Sequence, residues 1–199
     1  MTYSLPNLLT LFRIALIPVF VGLFFAPLSW AREGCAALFA LAALTDWLDG
    51  YAARRMGLVS PIGAFLDPVA DKLMVAAALV LIVQADPSPW LAIPAIVIIG
   101  REITISALRE WMAELGARAQ VAVSVVGKFK TAMQMIAIVL LLYRDDLWQI
   151  PVYTVGYVLL YVAVVLTLWS MTVYLRAAWP SLARMGDYPA PDRDLPPAD

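Results

Sequence analysis

Asp46, Asp49, Asp67 and Asp71 stand close together in a chain that is otherwise mostly apolar, 63% of its 199 residues being hydrophobic. On helices, Asp46 and Asp49 (i, i+3) share one face and Asp67 and Asp71 (i, i+4) share another, because an α-helix turns once in about 3.6 residues. Two acidic pairs that face each other repel unless positive charge lies between them. Carboxylate oxygens suit the hard divalent cations Mg²⁺, Mn²⁺ and Ca²⁺, so the four aspartates read as a metal site. Gly50, Ala53 and Arg54 extend the stripe begun by Asp46 and Asp49, and Gly63 and Ala70 accompany Asp67 and Asp71. Small residues let a bulky ligand approach the backbone, and Arg54 offers a planar fork for phosphate. Acids, arginine and glycines together suit a metal-bridged phosphoanhydride.

A second group is cationic: Arg101, Arg109, Lys128 and Lys130, with Thr131 beside them. Arg101 and Arg109 lie about two turns apart on one helical face. Four cations next to an acidic metal site imply a second, anionic ligand, which a neutral alcohol would not require. Two plainer readings compete. The cations also suit positive-inside residues whose heads reach the membrane interface, and Glu102 and Glu110 are placed to pair with the arginines locally.

Helices in a membrane must position these groups. A mean hydropathy of +0.82 is beyond an ordinary soluble composition and predicts a polytopic membrane protein. The net charge of −1 gives no sign of a nucleic-acid partner, the single Cys35 excludes an intrachain disulfide, and without histidine any general base is Asp, Glu, Lys or Tyr. The expected fold is all-α, an integral membrane bundle of six transmembrane helices with a short N-terminal interfacial segment. Ser4 or Asn7 caps the first helix, which runs to Phe25; a signal peptide is the competing reading of this segment, but no Lys or Arg precedes Arg13.

Pro27 breaks the chain before span two, Cys35 to Leu48, and a turn over Arg54–Pro61 follows. Span three runs to about Gln84, with Pro68 either inside it or in its first turn behind Asp67 as cap. A loop over Ala85–Pro89 precedes spans over Trp90–Leu115, Gln120–Tyr143 and Ile150–Leu175. Residues 1–178 thus form the membrane domain, and 179–199 a cytoplasmic, disordered tail that becomes proline-rich from Asp187. Arg54, Arg55, Arg109, Arg118, Lys128, Arg176 and Arg184 gather at one set of ends and only Arg32 and Arg144 at the other, which places the termini and the acids on the cytoplasmic side.

The motif Asp-x2-Asp-Gly-x2-Ala-Arg-x8-Gly-x3-Asp-x3-Asp, Asp46 to Asp71, resembles at every position the signature of the CDP-alcohol phosphatidyltransferases, membrane enzymes of phospholipid synthesis. Gly100–Glu110, Val126–Gln134 and the opening Pro6-Asn7-x2-Thr10-x2-Arg13 are similar to the phosphatidylglycerophosphate synthase branch. The resemblance implies transfer of a phosphatidyl group from CDP-diacylglycerol to glycerol 3-phosphate by a homodimer in the cell (inner) membrane. It implies two divalent cations, Mg²⁺ or Mn²⁺, on Asp46, Asp49, Asp67 and Asp71, with Asp71 also the catalytic base. Asp46, Gly50, Ala53, Arg54 and Gly63 would cradle CDP, with Asn7 and Thr10 touching the nucleotide, and Arg101, Arg109, Lys128, Lys130 and Thr131 would bind the acceptor phosphate. Other acceptors within the family, inositol phosphate or phosphatidylglycerol, remain open. Outside it, a divalent-cation transporter also needs intramembrane acids, but has no use for an arginine beside a glycine-alanine stripe. A purely structural ion-pair network of the acids with Arg54, Arg55 and Lys72 leaves the two matched stripes unexplained.

Overall fold

In a computed structural model of the protein, residues 5–56, 61–114 and 125–185 are described, and they form six α-helices. These are α1 (Leu5–Phe25), α2 (Ala31–Met56), α3 (Pro61–Ala85), α4 (Pro89–Glu114), α5 (Val125–Tyr143) and α6 (Val152–Met185). Among the described residues the only β-type pairing is one isolated bridge, Leu147 to Ile150. Two helices, over Pro89–Ala113 and Val152–Arg176, are long and apolar enough to cross a membrane.

The breaks fall where turn chemistry demands them. Pro61 opens α3 and Pro89 opens α4, each at the first helical position, where a missing amide costs nothing. Ser88 caps α4, its side-chain oxygen accepting from the Trp90 amide at 3.3 Å. Pro68 is interior to α3, so Asp67 is not a cap. The turn expected from Arg54 is instead the last part of α2, because Ala52, Ala53, Arg54, Arg55 and Met56 are strong helix formers and outweigh the single Gly50. Beyond Leu175, α6 continues to Met185. Ser60, a cap-like residue of the expected turn before Pro61, and the segment from Asp187 lie outside the described residues.

The helices close a ring in the order α1–α2–α5–α6–α4–α3, with α3 also touching α2 and α5 across it. Phe20, Phe39, Leu79, Ile98, Ile138 and Leu160 fill the interior, and Ala36, Ala42, Ala70, Ala78, Ala95, Ala137 and Ala163 bring the backbones close. α6 closes on α5 at Gly156, where an added Cβ would lie 2.9 Å from Leu140 Cβ and 3.1 Å from Leu141 Cγ. Ile96, Ile103, Phe129, Val165 and Trp169 point outward.

At one end of the bundle the α1–α2, α3–α4 and α5–α6 connections meet. Arg32 pairs with Asp145 at 3.4 Å, Tyr153 donates its hydroxyl hydrogen to Asp86, and Arg144 donates to the Ala85 carbonyl at 3.2 Å and stacks over Tyr153. Arg144 closes α5 with φ 66°, its amide bonded to Leu140 O. Asp46, Asp67 and Asp71 lie toward the opposite end.

Candidate active site between α1, α2, α3, α4 and α5

The site begins on α1, where Thr10 and Arg13 are buried in a helix that is otherwise apolar from Leu8 onward. One turn apart, they share a face. The Thr10 hydroxyl donates to Asp67 Oδ1 on α3, and Arg13 Nη1 donates to Asp46 Oδ1 on α2 at 2.6 Å. One helix thus fixes an acid from each half of the motif. Both bonds go to Oδ1, and a carboxylate has about four lone-pair sites, so each acid keeps capacity for a further partner. Arg13 also meets Asp71 at a small cavity walled by Phe39, Ala42, Met74 and Met135.

Asp71 lines a second cavity of about 50 Å³ with Lys72, Glu102, Lys130, Thr131 and Gln134. It therefore joins the acid cluster to the cations. Glu102 on α4 organises this side: it accepts from Arg101 Nη1 at 2.8 Å and from Lys130 Nζ on α5 at 2.9 Å. Charge-assisted bonds of this length to a shared carboxylate hold both cations in place. Arg101 Nη2 donates to Ser170 Oγ on α6 at 2.9 Å, while Lys72 donates to Ser106, whose hydroxyl donates to the Glu102 carbonyl at 2.6 Å. Lys130 is buried at 5% exposure, so its charge depends on Glu102.

The structure brings Asp46, Asp67 and Asp71 to the α1–α2–α3 side and Arg101, Lys130 and Thr131 to the α4–α5 side. Thr131 is exposed and donates to Gly127 O at 3.0 Å. Arg109 is drawn elsewhere: its guanidinium lies 5.9 Å from the centre of the Tyr174 ring on α6, a cation–π contact. The side chains of Asn7, Asp49, Ala53, Arg54 and Lys128 lie outside the described residues, as do the surroundings of Gly50 and Gly63. Among the described residues no three acidic or other metal-ligating side chains close on one point. The donor set is nonetheless all carboxylate oxygen, the class that Mg²⁺ and Mn²⁺ take, and it fits them.

Sequence reasoning left four groups without a role in the site. Arg13 entered only through the opening motif, Ser106 only as part of the Gly100–Glu110 segment, Glu102 through that segment and as a local partner for arginine, and Ser170 not at all. Thr10 and Arg13 carried a usable signal, since two polar residues one turn apart in an apolar helix must face a polar interior.

The arrangement gathers acids on one side and cations on the other, with Asp71 between them. Residues 3–169 match the sequence model of the CDP-alcohol phosphatidyltransferase family. The chain is 54% identical, over 178 residues, to the CDP-diacylglycerol–glycerol-3-phosphate 3-phosphatidyltransferases of Shigella flexneri and Salmonella typhimurium, and 53% identical to that of Escherichia coli K12. Each match covers 89% of this chain and 96% of the relative. With the motif intact from Asp46 to Asp71 and the match spanning all six helices in whole or in part, the chain belongs to the CDP-alcohol phosphatidyltransferase family.

Proposed function

We propose that the chain transfers the phosphatidyl group of CDP-diacylglycerol to the primary hydroxyl of sn-glycerol 3-phosphate, giving phosphatidylglycerophosphate and CMP. The observation that carries this reading is the single cavity shared by Asp71, Lys72 and Lys130. An acceptor that must lose a proton at one end and carries a phosphate at the other needs an acid and a cation within one small space. A neutral alcohol has no use for a buried lysine. The names of the relatives support the same acceptor.

In the reaction the acceptor's hydroxyl oxygen forms a bond to the phosphorus that bears diacylglycerol. The bond from that phosphorus to the oxygen bridging to CMP breaks, and CMP leaves with the electron pair. Asp71 takes the hydroxyl proton, since the chain has no histidine. Asp46, Asp49, Asp67 and Asp71 would hold two divalent cations, Mg²⁺ or Mn²⁺. When bound there, the ions would supply charge neutralisation for the diphosphate and for departing CMP. Gly50, Ala53, Arg54 and Gly63, with Asp46, cradle the CDP part. Arg101, Lys130 and Thr131 take the acceptor's phosphate, with Arg109 and Lys128 on its approach.

All six helices cross the cell (inner) membrane, with the termini and the acids on the cytoplasmic side, and the protein works as a homodimer. The lipid tails stay in the bilayer while CDP and the acceptor meet at the cytoplasmic edge. The test is CMP release by purified protein in detergent, given CDP-diacylglycerol, Mg²⁺ or Mn²⁺, and a panel of glycerol 3-phosphate, serine, inositol phosphate, inositol and phosphatidylglycerol. Release with glycerol 3-phosphate is expected. Preference for an uncharged alcohol overturns the acceptor, and cation flux in liposomes without CMP release overturns the enzyme.

A further inference from the structure

We propose that Gln134 reads the secondary hydroxyl of the acceptor, so that the site selects a phosphorylated vicinal diol over a phosphorylated monoalcohol; this rests on the acceptor reading above. Gln134 is 4% exposed, and its Oε1 is buried with no hydrogen-bond partner among the described residues. Buried side-chain amides are rarely left this way in native proteins. The atom belongs to a residue that lines the cavity of about 50 Å³ holding Asp71 and Lys130. That volume holds on the order of three or four water-sized groups.

Asp71 apart, the other polar side chains there have protein partners. Lys72 is bonded to Ser106, Lys130 and Glu102 to each other, and Thr131 to Gly127 O. Gln134 therefore stands out as a group whose bonding is completed by what enters. Lys130 precedes it by one turn on α5, so the two share a face. With the reacting hydroxyl at Asp71 and the phosphate toward Lys130, the carbon between them carries the secondary hydroxyl past Gln134. Whichever way the amide is turned, a hydroxyl, donor and acceptor at once, completes it. An acceptor that lacks this hydroxyl leaves the amide unsatisfied, which is how a polar site rejects a near-isostere.

The experiment compares kcat/KM for sn-glycerol 3-phosphate and 3-hydroxypropyl phosphate, the same chain without the secondary hydroxyl, using full-length protein, CDP-diacylglycerol and Mg²⁺. Wild type is expected to prefer glycerol 3-phosphate by about ten- to a hundredfold. In Gln134→Met and Gln134→Leu the ratio is expected to collapse to within about threefold of unity. A wild-type ratio in either folded variant overturns the inference. So does equal use of both acceptors by wild type, a result that needs no variant and leaves glycerol 3-phosphate standing as an acceptor. No CMP release with either phosphate overturns the acceptor reading itself, and this inference with it.

Discussion

Arg13 on α1 holds Asp46 on α2 at 2.6 Å from a position one turn beyond Thr10, whose hydroxyl holds Asp67 on α3. Cutting either tie frees one acid from the helix that aligns both. Thr10→Val should lower stability by about 1–3 kcal/mol, because the half-buried Asp67 loses its donor. Arg13→Gln should cost a similar amount, since Asp46 is 40% exposed and partly screened. Thermal unfolding in detergent measures both. Melting temperatures equal to wild type would show that α1 does not align the acids.

Asp67→Asn should leave the protein folded and abolish CMP release. The amide oxygen still accepts from Thr10, but the negative charge is gone. A chelator should silence wild type, and Mg²⁺ or Mn²⁺ should restore wild type but not the variant. Full activity of the variant, or of chelated wild type, would remove the metal from the proposed site.

Lys130→Gln and Arg109→Gln separate a buried cation from a surface one. Lys130 lines the cavity, so its loss should reduce acceptor kcat/KM by about ten- to a hundredfold, the value of one charge-assisted contact, with the KM for CDP-diacylglycerol little changed. Arg109 lies over Tyr174, so its loss should have an acceptor effect of less than about fivefold and cost about 0.5–1 kcal/mol of stability. Steady-state kinetics with each substrate varied in turn decides this, and a larger effect at Arg109 would reverse the assignment.

Gly156→Ala should destabilise the protein by about 1–3 kcal/mol, because the new methyl meets Leu140 Cβ at 2.9 Å and Leu141 N at 3.2 Å. Gly22→Ala is the control: nothing lies within 4 Å, so helix propensity should stabilise α1 by about 0.5–1 kcal/mol. Opposite shifts in melting temperature are expected. Shifts of the same sign would mean that the α5–α6 contact gives way.

Punctuation made much of the fold legible. The turn ending at Pro61 and the loop ending at Pro89 located the starts of α3 and α4 to within a residue, because proline acts locally; the Ser88 cap was not read. The end of α2 was not legible, because nothing local stops a helix through Ala53 to Met56 and only the packed chain decides where it ends. The acids were readable since their spacing is itself helical. Glu102 was not: in sequence it is the neighbour of Arg101, and its bond to Lys130 exists only because α4 and α5 come together. Arg101 and Arg109 were read as one face, and both do reach α6, through Ser170 and Tyr174. Eight residues leave about 80° between them, enough to keep Arg101 at Glu102 and turn Arg109 outward.

The ring order α1–α2–α5–α6–α4–α3 also sets the order in which a growing chain can assemble. The face of α2 with Ala36, Phe39 and Ala42 is made early, yet α5, one of the helices that packs on α2, is synthesised only after α3 and α4. During that interval the nascent chain holds its acids without Lys130, and Glu102 has Arg101 of its own helix but not its second cation. A chain halted after α4 therefore has the family motif complete but lacks both Lys130 and the helix that packs on α2, leaving that α2 face open to non-native contacts.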